Sequence, residues 1–125
     1  LFVPVVAGAL LFVEDESDLR MLVAEELSGL GHYVMEADNG EEALACFDKS
    51  IPDLIITDIV MPKMDGDEFV RAVRALDQGK KIPIIVVSAY APKEKIFGDF
   101  KDVFILEKPF SVDQLLSMVQ QFLSA

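Results

Sequence analysis

The chain has 125 residues, 52% of them hydrophobic, with 22 acidic side chains against 11 basic ones and a formal charge of −11. That length suits one domain with a sizeable core. The charge weighs against direct binding of nucleic acid or insertion into an anionic membrane, and favours cations or a partner with a basic face.

The chain opens with thirteen apolar residues, Leu1 to Val13, interrupted by Pro4 and Gly8 and too few to span a membrane. No basic segment precedes them, so a signal peptide fits poorly. The first residue is not Met, which points to a fragment or a trimmed chain. Residues 10–13 read as a strand, and residues 1–9 as an extension of open role. A helical stripe follows through Leu19, Leu22, Val23, Leu27 and Leu30, mostly three or four apart. His32, between Gly31 and Tyr33, reads as a structural loop residue.

Residues 33–37 form a second, partly apolar strand, and Asn39 with Glu42 caps the helix after it. Within that helix Cys46 is the single cysteine, so no internal disulfide can form. Its apolar neighbours predict a small buried core residue, consistent with a reducing, cytoplasmic location. Strands follow at residues 54–57, 82–87 and 103–106. Asp65 is the expected N-cap of a helix with Phe69, Val70, Val73 and Leu76 inward. Pro92 and Gly98 confine a weak helix between Ala91 and Phe100. A last helix opens on Ser111 and Gln114 and continues through Leu115, Leu116, Val119, Phe122 and Leu123.

Continuous apolar strands alternating with amphipathic helices predict an α/β fold, a doubly wound parallel sheet covered on both faces. Right-handed crossovers leave few topologies, of which the flavodoxin-like order 2-1-3-4-5 is the expected one, with ligands bound beyond the carboxyl ends of the strands. At those ends stand Glu14, Asp15 and Glu16 after the first strand, Asp58 after the third, Ser88 after the fourth and Lys108 after the fifth. Each residue alone has a plain explanation. The acids after the first strand suit a helix start favoured by the dipole, Asp58 suits a turn cap, and Lys108 suits a solvated side chain. Their conjunction at one sheet edge is what points to function. Carboxylates brought together repel unless a hard divalent cation relieves them, and an aspartate can take a phosphoryl group as an acyl phosphate.

The runs Phe12-Val13-Glu14-Asp15-Glu16, Pro52 through Asp58 to Gly66, Ser88-Ala89 and Lys108-Pro109-Phe110 resemble the response regulator receiver family, from residue 10 to the end of the chain. The resemblance implies a five-stranded (βα)5 receiver domain over residues 10–125 that switches conformation on phosphorylation and is not an enzyme in the ordinary sense. Asp58 is then the phosphoacceptor, with Ser88 and Lys108 contacting the phosphoryl group. Asp15, Asp58 and the carbonyl of Val60 hold Mg2+ (or Mn2+), and Glu14 acts on it through water. The Lys108–Pro109 bond is expected to be cis. Tyr90 and Val60 are expected to flank the attacking water.

The implied donor is a sensor histidine kinase or a histidine phosphotransfer domain. Phe2-Val3-Pro4-Val5-Val6 is similar to the end of a kinase ATP-binding domain, which favours the C-terminal receiver of a hybrid histidine kinase. The chain departs from the family at Ile105, where receivers often carry Tyr or Phe. Phe104, one place earlier, points to the opposite face by strand alternation. The oligomeric state stays open.

Three rivals are weighed. An aspartyl-nucleophile phosphatase needs a second acid two residues after the nucleophile, where this chain has Val60. An FMN carrier needs a Ser/Thr/Gly-rich phosphate loop where Glu14-Asp15-Glu16 stands. A degenerate receiver, acting only as a binding module, is disfavoured because every site position is suitably filled.

Overall fold

A computed structural model describes residues 6–89 and 100–124 of the chain. The strands are β1 (Ala9–Val13), β2 (Tyr33–Ala37), β3 (Leu54–Asp58), β4 (Ile84–Ser88) and β5 (Val103–Glu107). The helices are α1 (Ser17–Gly29), α2 (Gly40–Lys49), α3 (Gly66–Ala75) and α4 (Val112–Leu123), with a short 3-10 turn at Asp77–Gly79. All strand pairs are parallel, in the order β2-β1-β3-β4-β5. The expected doubly wound sheet is therefore the observed one. The weak helix expected between Ala91 and Phe100 lies outside the described residues, apart from Phe100 itself.

Strand alternation divides the core into two layers. Leu11, Val13, Ile55, Ile84 and Val86 face α2 and α3, where they meet Ala43, Phe47, Phe69, Val70 and Val73. Leu10, Phe12, Leu54, Ile56, Ile85 and Val87 face α1 and α4, against Val23, Leu27, Leu115 and Val119. Burying each large aliphatic side chain contributes about 1.5–3 kcal/mol. On β5 the same alternation turns Ile105 toward the first layer, while Phe104 stacks on Phe122 of α4 at 4.1 Å.

Three of the helix starts carry the expected caps. The side chains of Asn39, Asp65 and Ser111 accept from the backbone N–H groups of Glu42, Glu68 and Gln114, respectively. Each such cap stabilises its helix by about 1 kcal/mol.

Several expectations need correction. Leu22, Leu30 and Leu76 are 50%, 40% and 38% exposed, so none of them faces the core. The buried stripe of α1 runs through Val23, Ala24 and Leu27. Leu30 and Leu76 fall at the C-caps of α1 and α3, where the chain has left the helix. β4 begins two residues later than expected, because Pro83 has no N–H for the ladder. Cys46 is only partly buried; burial still pushes its thiol pKa up.

At the amino edge of the sheet, the Gly8 N–H donates to His32 Nδ1 at 3.1 Å and the Ala9 N–H to Asp53 Oδ2 at 2.8 Å. His32 is 5% exposed, and burial pulls its pKa down, as fits a neutral structural acceptor. Arg74 closes the far side of the fold. Its guanidinium donates to the carbonyls of Gly79 at 2.6 Å and Lys101 at 2.9 Å, tying α3 to the turn that enters β5.

Candidate functional site

The carboxyl edge of the sheet gathers the residues singled out in the sequence. Asp58 is the last residue of β3 and is 8% exposed. Glu14 and Asp15 directly follow β1, the neighbouring strand, and Glu14 is 2% exposed. Ser88 ends β4 in register with Glu107 of β5, so Lys108 emerges beside it. The Lys108 N–H donates to the Ser88 carbonyl at 2.6 Å, and the Lys108–Pro109 bond is cis as expected. Residues far apart in sequence thus meet because parallel strands all deliver their ends to one side.

The acids close on one another. Carboxylate oxygens of Glu14, Asp15 and Asp58 lie within 4.8 Å of each other. Lys108 Nζ stands between two of them, 2.8 Å from Asp58 Oδ2 and 3.2 Å from Glu14 Oε1. Asp58 Oδ1 accepts from the Ile59 N–H at 2.7 Å, which fixes the carboxylate plane. Three carboxylates against one ammonium leave a net negative pocket with oxygen donors only. That donor set fits a hard divalent cation.

Electrostatics agree with the crowding. Burial pushes the Glu14 carboxyl up to about 7, and the charge of Asp58 adds to the rise; the Glu16 N–H and Lys108 offset part of it. For Lys108, burial works to lower the pKa, but hydrogen bonds and charges from Asp58 and Glu14 outweigh it and leave the ammonium raised.

A carboxyl raised by folding binds its proton more tightly in the native state. Its stabilising share is whole below the unfolded value of 4.5 and is lost as pH climbs through about 7. Glu14→Gln, which cannot ionise, therefore gains stability relative to the metal-free wild type as pH rises from about 5 to about 8. Urea unfolding of both proteins across that range measures the difference, and a flat difference would contradict the raised pKa.

The loop after Asp58 is built around two close approaches. Gly66 donates its N–H to the Ile59 carbonyl at 2.6 Å, and a Cβ there would lie 2.0 Å from the Asp58 carbonyl oxygen. Gly40 donates to the Met64 carbonyl at 2.9 Å, docking the loop on the start of α2. Lys63, at φ 66°, makes the left-handed turn between them. Val60 is 67% exposed and belongs to this loop. Tyr90 lies outside the described residues.

One neighbour of the site escaped the sequence reading. Arg20 of α1 donates to the Glu14 carbonyl at 2.6 Å and lies 3.5 Å from a Glu36 carboxylate oxygen. The available signal was a lone basic side chain in the acid-rich start Glu14-Asp15-Glu16-Ser17-Asp18-Leu19-Arg20.

A doubly wound sheet with an acidic, lysine-bridged cleft at its switch point defines a class of protein, the open α/β domains that hold their ligands beyond the carboxyl ends of the strands. Comparison with known proteins is specific. The family model described as "Response regulator receiver domain" matches residues 10–120. The response regulator receiver protein CpdR of Brucella abortus is 32% identical over 116 residues, covering 93% of this chain and 97% of that protein. Chemotaxis protein CheY4 of Vibrio cholerae superposes with a TM-score of 0.85 at 36% identity, covering 93% of this chain and 98% of that one. The receiver domain of sensor histidine kinase PA1611 from Pseudomonas aeruginosa superposes at 0.84 with 25% identity, covering 95% and 99%. That domain has a magnesium ion coordinated in its active-site cleft.

This chain belongs to the response regulator receiver family. It is a receiver domain of two-component signalling, a family of signalling switches, and histidine-kinase receivers are among its neighbours. Some relatives are longer, and the chain spans 44% of one of them. Among the described residues no helix is long and apolar enough to cross a membrane.

Proposed function

We propose that this domain accepts a phosphoryl group on Asp58, with a divalent cation bound between Glu14, Asp15 and Asp58, and uses it to shift its surface conformation. The donor is a phosphohistidine on a sensor histidine kinase or a phosphotransfer domain, and the domain acts in the cytoplasm. The observation that carries this reading is the placement of the nearly buried Asp58 carboxylate beside two further acids, with Lys108 Nζ at 2.8 Å.

An Asp58 oxygen attacks phosphorus, the N–P bond of the donor breaks, and the imidazole leaves. Mg2+ (or Mn2+), when bound, neutralises charge on the transferring oxygens. Asp15, Asp58 and the Val60 carbonyl would hold it, with Glu14 acting through water. The Lys108 ammonium, already within reach of Asp58, follows the negative charge onto the phosphoryl group. Ser88, at the end of the next strand, supplies its hydroxyl to a phosphoryl oxygen. The added charge of roughly −1.5 to −2 draws both side chains toward it and favours one arrangement of the loops after β4 and β5. The receiver of a hybrid histidine kinase is the setting favoured here, in keeping with the PA1611 likeness.

Incubation with acetyl phosphate and Mg2+ tests the reading. The expected result is a mass gain of one phosphoryl group, lost in hydroxylamine as an acyl phosphate is. No gain with or without metal, from acetyl phosphate or a phosphorylated kinase, would remove it.

A further inference from the structure

Among the described residues every polar group of Glu14 has a partner, and only one of those partners is a side chain outside the acidic cleft and its lysine. The Glu14 N–H donates to the Ala37 carbonyl on β2 at 2.9 Å. Its carboxylate accepts from the Glu16 N–H at 3.2 Å and from Lys108 at 3.2 Å. Its carbonyl accepts from Arg20 at 2.6 Å. That carbonyl belongs to the peptide joining Glu14 to Asp15, so whatever fixes it sets the direction in which both acids leave the chain. Asp15 is exposed, and a position on a loop gives it little packing to hold it.

We infer that Arg20 is a positioning residue for the divalent cation: its guanidinium, tied back to Glu36 of β2, locks the Glu14–Asp15 peptide so that the acids meet Asp58 in the geometry the ion requires. The inference rests on the cation-binding reading given above.

The geometry supports this role over a purely structural salt bridge. The Arg20–Glu36 contact is 3.5 Å, with Glu36 43% exposed, and a surface pair of that kind contributes little stability. The contact to the Glu14 carbonyl is shorter and charge-assisted, and its donor side chain is only 19% exposed. A planar guanidinium can serve the carbonyl with one nitrogen and Glu36 with another, which an ammonium cannot do along two fixed directions. Arg20 also starts from α1 itself, where its own N–H donates to the Glu16 carbonyl at 2.9 Å. The loop bearing the acids is thus closed from both ends by one residue.

The test is a titration with Mn2+, followed by the paramagnetic signal of the free ion, on the wild type, Arg20→Met and Arg20→Lys. Outer-sphere partners of this sort alter metal affinity by about 10-fold to 100-fold, and a loss of about 10-fold is expected for Arg20→Met. Arg20→Lys recovers part of it. Thermal unfolding of the metal-free proteins runs alongside, with midpoints close to one another expected. In acetyl phosphate reactions the loss lies mainly in the Mg2+ concentration needed for half-maximal rate. A structural role would instead lower the midpoint and leave the affinity of the folded fraction unchanged.

Equal Mn2+ affinity in folded Arg20→Met overturns the inference. If that variant does not fold, Arg20→Gln, which keeps most of the stem but cannot reach both partners, takes its place under the same criterion. A wild type that binds no Mn2+ at all refutes the cation reading itself, which is a different outcome.

Discussion

Asp58→Asn loses phosphoryl uptake from acetyl phosphate or a phosphorylated kinase by at least roughly a thousand-fold, the scale on which covalent nucleophiles matter. The change is nearly isosteric, so the fold survives. The side-chain amide oxygen introduced there can still accept one of the two hydrogen bonds that now reach the carboxylate, from Ile59 at 2.7 Å or from Lys108 at 2.8 Å. What disappears is the anionic oxygen that attacks phosphorus. A second consequence is electrostatic and needs no donor. The charge of Asp58 helps raise Glu14 to about 7, so Glu14 titrates lower in Asp58→Asn. Carbon-detected NMR of the Glu14 carboxyl reads that shift in the metal-free protein. The two readouts separate two ideas. Uptake that continues in the variant would place the acceptor elsewhere, whereas an unmoved Glu14 titration would mean that the acids are not in contact.

The architecture was legible because it depends on local patterns. Apolar strands, helix caps and right-handed crossovers fix a parallel sheet, and a parallel sheet fixes which residues share its carboxyl edge. Asp58, Glu14, Asp15, Ser88 and Lys108 could therefore be placed at one edge from their positions after strands alone. Asn39, Asp65 and Ser111 were legible as caps because side-chain capping acts within three residues. The misread side chains depend on longer-range geometry. Leu22, Leu30 and Leu76 satisfy a spacing rule, yet exposure follows from helix rotation and from where a helix stops. Cys46 has apolar chain neighbours, but its place on α2 leaves it at the margin of the core. Arg20 could be noticed but not placed, because the carbonyl it holds is a backbone atom that no residue type announces. Lys108 was expected to reach a phosphoryl group; the structure adds that its ammonium bridges Glu14 and Asp58.

Gly66 closes the motif that begins at Asp58, and its replacement by Ala is expected to destabilise the domain by about 3 kcal/mol. The reason is contact and not backbone conformation. An added Cβ would fall 2.0 Å from the Asp58 carbonyl oxygen, 2.8 Å from Ile59 Cα and 2.9 Å from the Asp58 carbonyl carbon. All three are backbone atoms, so no rotamer change can make room. The Gly66 N–H also donates to Ile59 at 2.6 Å, which holds the two segments together. Relief must come from moving β3's end or the start of α3, and the first of these carries the candidate phosphoacceptor. Gly66→Ala should therefore weaken divalent-ion binding as well as stability. Gly29 is the control. Nothing lies within 4 Å of a Cβ built there, and the residue sits inside the last turn of α1. Gly29→Ala should stabilise by up to about 1 kcal/mol, since alanine loses less backbone freedom in a helix than glycine. Urea unfolding of both variants gives opposite signs if the close approach at Asp58 governs Gly66. A Gly66→Ala protein as stable as the wild type would mean that the loop and β3 are not packed as described, and the cleft that depends on that packing would go with it.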